Sequence, residues 1–535
     1  SSARTIIYKA FCLPRDLDGF YLDLRDPRYE SAIVLFHQRY STNTLPTWAM
    51  AQPFRYLAHN GEINTIGGNR QWMLARAPEL AFPDGLRGEA LQPLLSLDGS
   101  DSLSLDDVVS LLYHGGRSLP HTLMMLVPEP WEQLPEMDPA RRAFYDFHAG
   151  LIEQWDGPAA LGFSDGVIAG ATLDRNGLRP LRYAITEDGL FVAGSEAGTV
   201  DIDQGKVIEK GRLGPGQMLV VDTRRGVVLH NDDLKAEVSG RQPYAEWLAE
   251  GRIAVASCNE TPEAVEAASN GHADGNGAGP VRVKADPGVV ALQRAVGYTA
   301  EDTRLIVNPM AAGEEPTWSM GDDAPLAVLS ERTRPIHAFF RQRFAQVTNP
   351  AIDSLRERKV MALDSFVGRR GNLLAESPDQ ARLVHLPSIA IDDACLAALR
   401  VLEQDGLQAA TVSTIFAVPA DGVTTGGALL ESELRRVVAE AEQAARDGAG
   451  IIILSDRGID AGHAPVPVLL ATGAVHHALI RAGLRGKADI VIESAEVCDV
   501  HALACLIGYG ASAVNPYIAL AQAASVPPEE TMSST

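Results

Sequence analysis

Residues 34–72 read VLFHQRYSTNTLPTWAMAQPFRYLAHNGEINTIGGNRQW, a stretch rich in side chains suited to holding a small zwitterion. Phe54, Tyr56 and Leu57 lead into Asn60-Gly61, which Glu62-Ile63-Asn64 follow. That order predicts a strand ending in a tight turn, with one side-chain amide and one unhindered backbone N–H on offer. Such donors stabilise the oxyanion that forms when a carboxamide is attacked, and glycine lets the substrate oxygen approach the backbone. Arg39 carries a planar fork matched to a carboxylate. Asp101, in GSDS at 99–102, supplies an anion for an ammonium group, with Asp98 as the alternative acid. A carboxylate clamp, an ammonium anchor and donors for an amide oxygen describe a pocket for a free α-amino acid with a carboxamide side chain, and glutamine fits it. The plainer reading is that Asn-Gly alone is most often only a turn, and a lone Arg or Asp a solvated surface charge.

The runs HQRYSTNT (37–44), HNGEINT (59–65) and SDS (100–102) resemble, in that order, the glutaminase domain of glutamate synthases, which are class II amidotransferases with an N-terminal nucleophile. The resemblance implies Arg39 as the glutamine carboxylate clamp, Asn60 and Gly61 as the oxyanion hole, and Asp101 as the α-amino anchor. DRNGLRPLRY (174–183) and SEAG (195–198) are similar to further pieces of class II amidotransferases. Their expected role is structural: a turn at Asn176-Gly177, and Arg175, Arg179 and Glu196 in a buried ion network. The family's nucleophile is an amino-terminal Cys in a Cys-Gly-x-Gly-Phe setting, activated by its own amine. This chain opens on Ser1-Ser2-Ala3, and Cys12 in KAFCLP is neither terminal nor flanked by glycine. The expectation is therefore a stretch of a glutamate synthase large subunit, the later part of the glutaminase domain plus the central domain. On that view the nucleophilic Cys is absent and the isolated chain is inactive.

Several elements must position these residues. Residues 4–11 and the apolar run SAIVLF (31–36) predict strands, the second delivering Arg39 to its carboxyl end. QWMLARAP (71–78) predicts a helix, as does LSLDDVVSLLY (103–113) with Ser102 as its N-cap. Between 158 and 223, PAALGFSDG, VIAGATLD, RYAITEDG, LFVAGSE and GQMLVVDT predict antiparallel hairpins, being short apolar runs broken by Gly and Asp-Gly turns. GHADGNGAGPVRVKADPG (271–288) reads as a linker. Beyond it, TVSTIFAV (411–418), GIIILSD (450–456) and ADIVIES (488–494) predict buried parallel strands alternating with helices at 428–448, 464–484 and 500–510. GYGASAVNPY (508–517) reads as glycines for a close turn. The segment 321–374 resembles the central domain of glutamate synthases.

The fold class expected is α+β followed by α/β: a partial αββα glutaminase sandwich, then a degenerate (β/α)-barrel-like domain. The boundaries expected are 1–250 for the glutaminase domain, 251–290 for the linker region, 291–522 for the central domain and 523–535 for a polar tail.

A length of 535 residues exceeds what one core supports. A net charge of -23 argues against general attraction to nucleic acid or anionic membrane. Five scattered cysteines without a CxxC pair predict free, mostly buried thiols in a reducing compartment, and the cytoplasm is the default location. His476-His477 and His501, near Cys498 and Cys505, read as packing or interface residues rather than a metal set. Asp456 and Arg457, at the carboxyl end of a predicted strand, read as a loop ion pair. No phosphate-cradling motif occurs in the sequence, so nucleotide binding gains no support.

The resemblance implies no cofactor in this chain. It implies FMN and an iron–sulfur cluster in the parent enzyme, with NADPH, NADH or ferredoxin as electron source. The partners implied are L-glutamine, the flavin domain of the same polypeptide and a small electron-delivering subunit. Two other readings stand beside this one: another class II amidotransferase, or a non-catalytic glutamine-binding or scaffold module.

Overall fold

The computed structural model describes residues 3–40, 45–255, 258, 286–314, 316, 334–341, 352–419 and 426–526. The chain divides into two compact units. One comprises residues 1–251 with 348–362 and 371–381, the other 252–347, 363–370 and 382–535. Most of the predicted linker at 271–288, and the tail from 527 onward, lie outside the described residues.

In the first unit the predicted hairpins form: β1 (Leu57–Gly61), β2 (Ala159–Ser164), β3 (Ile168–Leu173), β4 (Arg182–Thr186), β5 (Phe191–Gly194), β6 (Val207–Arg212), β7 (Met218–Asp222) and β8 (Val227–Leu229). They make two sheets, one in the order β1-β2-β3-β7-β8 and one in the order β5-β4-β6. Every pair is antiparallel. Alternation along each strand sends one set of side chains to each face. Leu57, Leu161, Phe163, Met218 and Val220 pack against the helices. Ala160, Ala171, Leu173 and Leu219 pack against Tyr183, Phe191 and Ala193 of the small sheet. Helices, sheet and second sheet are thus three layers. The outer helical layer of the expected sandwich is not found among the described residues.

The helices follow from pattern and caps. In Asp101–His114, Leu105, Val108, Val109 and Leu112 are buried at helical spacing. Its N-cap is Ser100, whose side chain accepts from the Leu103 N–H at 3.1 Å, two residues earlier than expected. The predicted cap, Ser102, lies inside the first turn. Leu119–Leu126 is buried on all sides, as a helix apolar all round must be. Asp138 caps Pro139–Ala149. The helix expected at 71–78 spans Ile66–Arg76.

Neither 4–11 nor 31–36 forms a strand. A strand needs a neighbouring backbone to complete its hydrogen bonds, and among the described residues these segments have none. Ile6, Phe11, Val34 and Phe36 are consequently exposed.

The second unit holds four parallel strands, Ala409–Ser413, Ile451–Ser455, Asp489–Glu493 and Ala511–Asn515, neighbours in chain order. The last three are buried throughout, as parallel strands covered on both faces are. Helices Gly426–Arg446, Val468–Arg481 and Val500–Gly508 match those expected. Two readings are corrected. TVSTIFAV is broken at Thr414, beyond which Ile415–Ala417 pairs instead with His463–Pro465 in a separate antiparallel ribbon. GYGASAVNPY holds a turn at Gly510 (φ +105°) and then a full strand whose small residues conceal its strand character. The thiol expectation also fails. Cys258 and Cys395 form a disulfide across a sequence separation of 137, Cys12 is exposed, Cys498 buried and Cys505 half-buried. Only folding brings Cys258 and Cys395 together, with Cα atoms 4.6 Å apart.

A buried acid anchors the entry to β1. The Asp106 carboxylate accepts the backbone N–H groups of Arg55, Tyr56 and Leu57 at 3.1, 2.9 and 3.0 Å. Replacing it with Ala leaves these donors without an acceptor, two of them in buried residues. Asp106→Ala should therefore lower the unfolding free energy by about 2–4 kcal/mol in denaturant titration of the chain.

Candidate functional site

The register of β1 on β2 decides where its backbone donors point. Tyr56 accepts from the Ser164 N–H at 2.9 Å, and the Glu62 N–H donates to Pro158 O at 3.0 Å, so even-numbered residues bond across to β2. Odd-numbered N–H groups face the open edge. There Leu57 donates to Asp106 at 3.0 Å, His59 to Gln52 Oε1 at 2.6 Å and Ile63 to Asp101 Oδ2 at 2.7 Å. Gly61 is the remaining odd position, and its N–H meets no acceptor among the described residues. Asn60, half-buried beside it, makes no side-chain hydrogen bond among the described residues. Two unused donors thus stand on consecutive residues. They lie inside β1, paired with Ala160 and Ala159, and not in the tight turn the sequence predicted.

Gly61 has a steric reason to be glycine. A Cβ there would lie 1.8 Å from the Pro158 carbonyl oxygen and 2.9 Å from both Ala159 Cα and His59 Nε2, at a φ of +155°. The backbone of β2 forbids a side chain before any ligand is considered.

Asp101 opens its helix, where an anion is favoured. Besides the Ile63 N–H it accepts Ser102 N–H at 2.7 Å and Ser102 Oγ at 3.1 Å. Ser102 Oγ in turn lies 2.7 Å from His59 Nδ1. Burial pushes the His59 imidazole down to about 4, the Asp101 charge opposing, so it is neutral at neutral pH. Arg70 braces the helix start through Ser104 Oγ at 2.9 Å and Gly99 O at 2.8 Å. Asp98 is exposed.

Asn60, Gly61 and Asp101 are therefore brought to one edge. Arg39 is joined to them only through the backbone: its N–H donates to His37 Nδ1 at 3.2 Å, and His37 contacts the His59 backbone. Its guanidinium is exposed and meets no carboxylate among the described residues.

The supporting network differs from the one expected. Gly177 turns with φ +59°, as predicted. Arg175 is buried against Glu132 at 3.4 Å and Val360 O at 2.8 Å, whereas Glu196 is exposed and Arg179 leaves a buried Nε without a hydrogen bond. Glu196 therefore belongs to no buried ion network, because the short strand before it ends at the surface. Asp174, unnoticed in the sequence, is fully buried and holds the Ala159 N–H at 2.8 Å and the Asn176 N–H at 2.9 Å. His59 and Asp106 were missed as well, and Ser102 was read only as a helix cap. Asp106 had a signal, an acid inside the buried stripe of an apolar helix.

In the second unit Asp456 accepts from Ser494 Oγ at 2.6 Å and from the Ala495 N–H. Arg457 bonds Glu493 at 2.8 Å and Asp393 at 2.9 Å and stacks on Tyr517. His476 accepts from Arg485 Nε at 3.1 Å, and His501 Nε2 lies 2.8 Å from His337 O.

Compared with known proteins, residues 1–247 match the family described as Glutamine amidotransferases class-II, and residues 291–534 the family described as Glutamate synthase central domain. The first unit thus carries a class II glutamine amidotransferase domain. The chain belongs to the glutamate synthase family. It is 46% identical over 528 residues to ferredoxin-dependent glutamate synthase 2 of Synechocystis sp., covering 97% of this chain and 32% of that protein. It is 44% identical over 526 residues to the glutamate synthase [NADPH] large chain of Azospirillum brasilense, covering 97% and 33%, and 41% identical over 524 residues to that of Bacillus subtilis, covering 97% and 32%. The chain spans about a third of the length of these relatives. No helix among the described residues is long and apolar enough to cross a membrane.

Two variants test this geometry. Gly61→Ala should destabilise the chain by about 3 kcal/mol in denaturant titration, since the clash is with backbone that cannot swing aside. The second concerns Glu496, which accepts the Val468 N–H at 3.1 Å. Burial, and then the Asp456 charge, push Glu496 up to about 8, and burial pushes Asp456 up to about 6. A raised carboxyl favours the protonated native state, so this stabilisation is complete below about pH 4 and is lost as the pH climbs through 6 to 8. Glu496→Gln keeps the acceptor and removes the titration. Its melting temperature should change less between pH 6 and pH 9 than that of the unsubstituted chain.

Proposed function

We propose that the chain supplies the glutamine-holding part of a glutamate synthase: the parent reaction hydrolyses L-glutamine and transfers the ammonia to 2-oxoglutarate with reduction, giving two L-glutamate. The observation that carries the reading is the open edge of β1. Its outward N–H groups at Leu57, His59 and Ile63 have acceptors, and the one at Gly61 has none among the described residues. In this reading the Gly61 N–H and the Asn60 amide donate to the substrate's side-chain carbonyl oxygen as it gains negative charge. The neighbouring Asp101 accepts the α-ammonium, and Arg39 clamps the α-carboxylate. Neutral His59 beneath them, bonded to Ser102, adds no charge to compete with either.

The cysteine nucleophile and the flavin chemistry belong, on this reading, to parts of the polypeptide that the longer relatives also have. The iron–sulfur cluster, which several thiolates hold, belongs on this reading to those parts too, and the disulfide between Cys258 and Cys395 supports that assignment. The electron source of the whole enzyme is NADPH, NADH or ferredoxin, and its setting the cytoplasm. The boundaries proposed are 1–250 and 291–522 for the two domains. The sequential order of the four parallel strands supports an arc of a degenerate (β/α) barrel for the second. A sandwich of the αββα type remains the proposed plan of the first.

Titration calorimetry of the 535-residue chain with L-glutamine tests the site. Specific binding is expected, weakened about tenfold or more in Arg39→Ala and in Asp101→Ala, each of which removes a charge-assisted contact. The same chain should release no ammonia from glutamine. Robust turnover would overturn the assignment of the nucleophile to another part of the polypeptide, and absence of any binding heat would favour a scaffold role.

A further inference from the structure

Within the first unit, away from β1, three metal-ligand side chains converge in the interior. His121 comes from Leu119–Leu126, His148 from Pro139–Ala149, and Glu376 from the 371–381 segment. His121 Nε2 lies 3.1 Å from His148 Nε2 and 3.3 Å from Glu376 Oε1, and His148 Nε2 lies 3.5 Å from the same oxygen. A tetrahedral metal with bonds of about 2.0–2.1 Å sets its ligand atoms about 3.3–3.4 Å apart. The observed triangle has that size. We propose that His121, His148 and Glu376 form a structural site for a divalent transition metal, zinc above all, that ties these two helices to the 371–381 segment.

Hydrogen bonding alone leaves the triangle unsatisfied. His148 Nδ1 lies 2.7 Å from the Phe144 carbonyl, so its proton sits there and its Nε2 presents a lone pair. Glu376 Oε1 already accepts from the Tyr244 hydroxyl at 2.6 Å. His121 Nε2 can bring at most one proton to two facing acceptors, and its Nδ1, fully buried, has no hydrogen-bond partner among the described residues. Protonating an imidazole would place a charge on a ring buried in the interior. A dication accepts all three lone pairs and leaves both imidazoles neutral.

The surroundings match those of a metal site. A ligating imidazole usually donates its other N–H to a carbonyl or carboxylate, as His148 does to Phe144, and the Tyr244 hydroxyl orients the carboxylate. Two nitrogens and one oxygen are donors that zinc accepts. Arg117, whose Nη2 donates to Ala375 O at 3.1 Å, and Arg241 act on the cluster as positive charges and moderate its affinity.

The test uses the whole 535-residue chain. After chelator treatment and removal of the chelator, added Zn2+ should bind at about one ion per chain by mass spectrometry of the gel-filtered protein and raise the melting temperature. Co2+ in its place should give the visible absorption of a tetrahedral ion. His148→Asn and Glu376→Gln should each abolish that absorption, and Cys498→Ser, at a second group of potential ligands with His337 and Asp499, should leave it intact. Glu376→Gln keeps an acceptor for Tyr244, so it reports on the metal even where a histidine variant does not fold. A folded chain that takes up neither ion, with a melting temperature indifferent to chelator and zinc, overturns the proposal. So does stoichiometric uptake that survives in Glu376→Gln and His148→Asn but is lost in Cys498→Ser.

Discussion

Two carboxylates on one helix hold β1 in place, and the candidate site depends on that grip. Asp106 takes three consecutive backbone N–H groups at the strand's entry, and Asp101 takes the Ile63 N–H just past its exit. A buried acid of this kind is costly to charge, and burial pushes Asp106 up to about 6 despite its three donors. Its hydrogen bonds are what make the position tolerable. Because both ends of the open edge are held by acids, the strand cannot slide on β2, and a one-residue slip would exchange the inward and outward N–H groups.

The same register explains why Gly61 is both constrained and available. Toward β2 the Pro158 carbonyl leaves no room for a Cβ. Toward the open edge the N–H is left without an acceptor among the described residues, flanked by donors that have theirs. Steric exclusion on one side and an unused donor on the other arise from one backbone conformation. The neutral His59, with its Nε2 beside Gly61 and its Nδ1 2.7 Å from Ser102 Oγ, keeps the floor of the site free of a competing charge.

The second unit manages buried charge in another way. Acids at its strand ends are paired or capped: Asp489 with Arg485 at 3.1 Å and Arg370 at 3.2 Å, Glu493 with Arg457 and Arg400, Asp456 with Ser494 and the Ala495 N–H. Such pairs fix how elements meet and contribute little net stability. The loop ion pair expected between Asp456 and Arg457 is not among them: Arg457 pairs with Glu493 and Asp393, and Asp456 is held by Ser494 and the Ala495 N–H among the described residues.

Local pattern made much of this legible. The hairpins between 158 and 223 carry Asp-Gly turns and alternation, and the parallel strands at 451–455 and 489–493 are continuous apolar runs, so chain periodicity alone determined them. The stretch around Asn60-Gly61 and Asp101 stood out through its resemblance to the class II glutaminase domain, since an Asn-Gly pair, a lone Arg and a lone Asp each have a commoner structural use. Tertiary structure decided what depends on a partner distant in sequence. Ile6 and Val34 alternate like strand residues but lack a neighbouring backbone, Cys258 meets Cys395 across 137 positions, and Arg175 finds Glu132 instead of Glu196. His121, His148 and Glu376 give no sign of each other in the chain. Hydrogen bonds, ion pairs and ligand triangles are set by distances in space, and a linear spacing specifies those only within one helix or one hairpin.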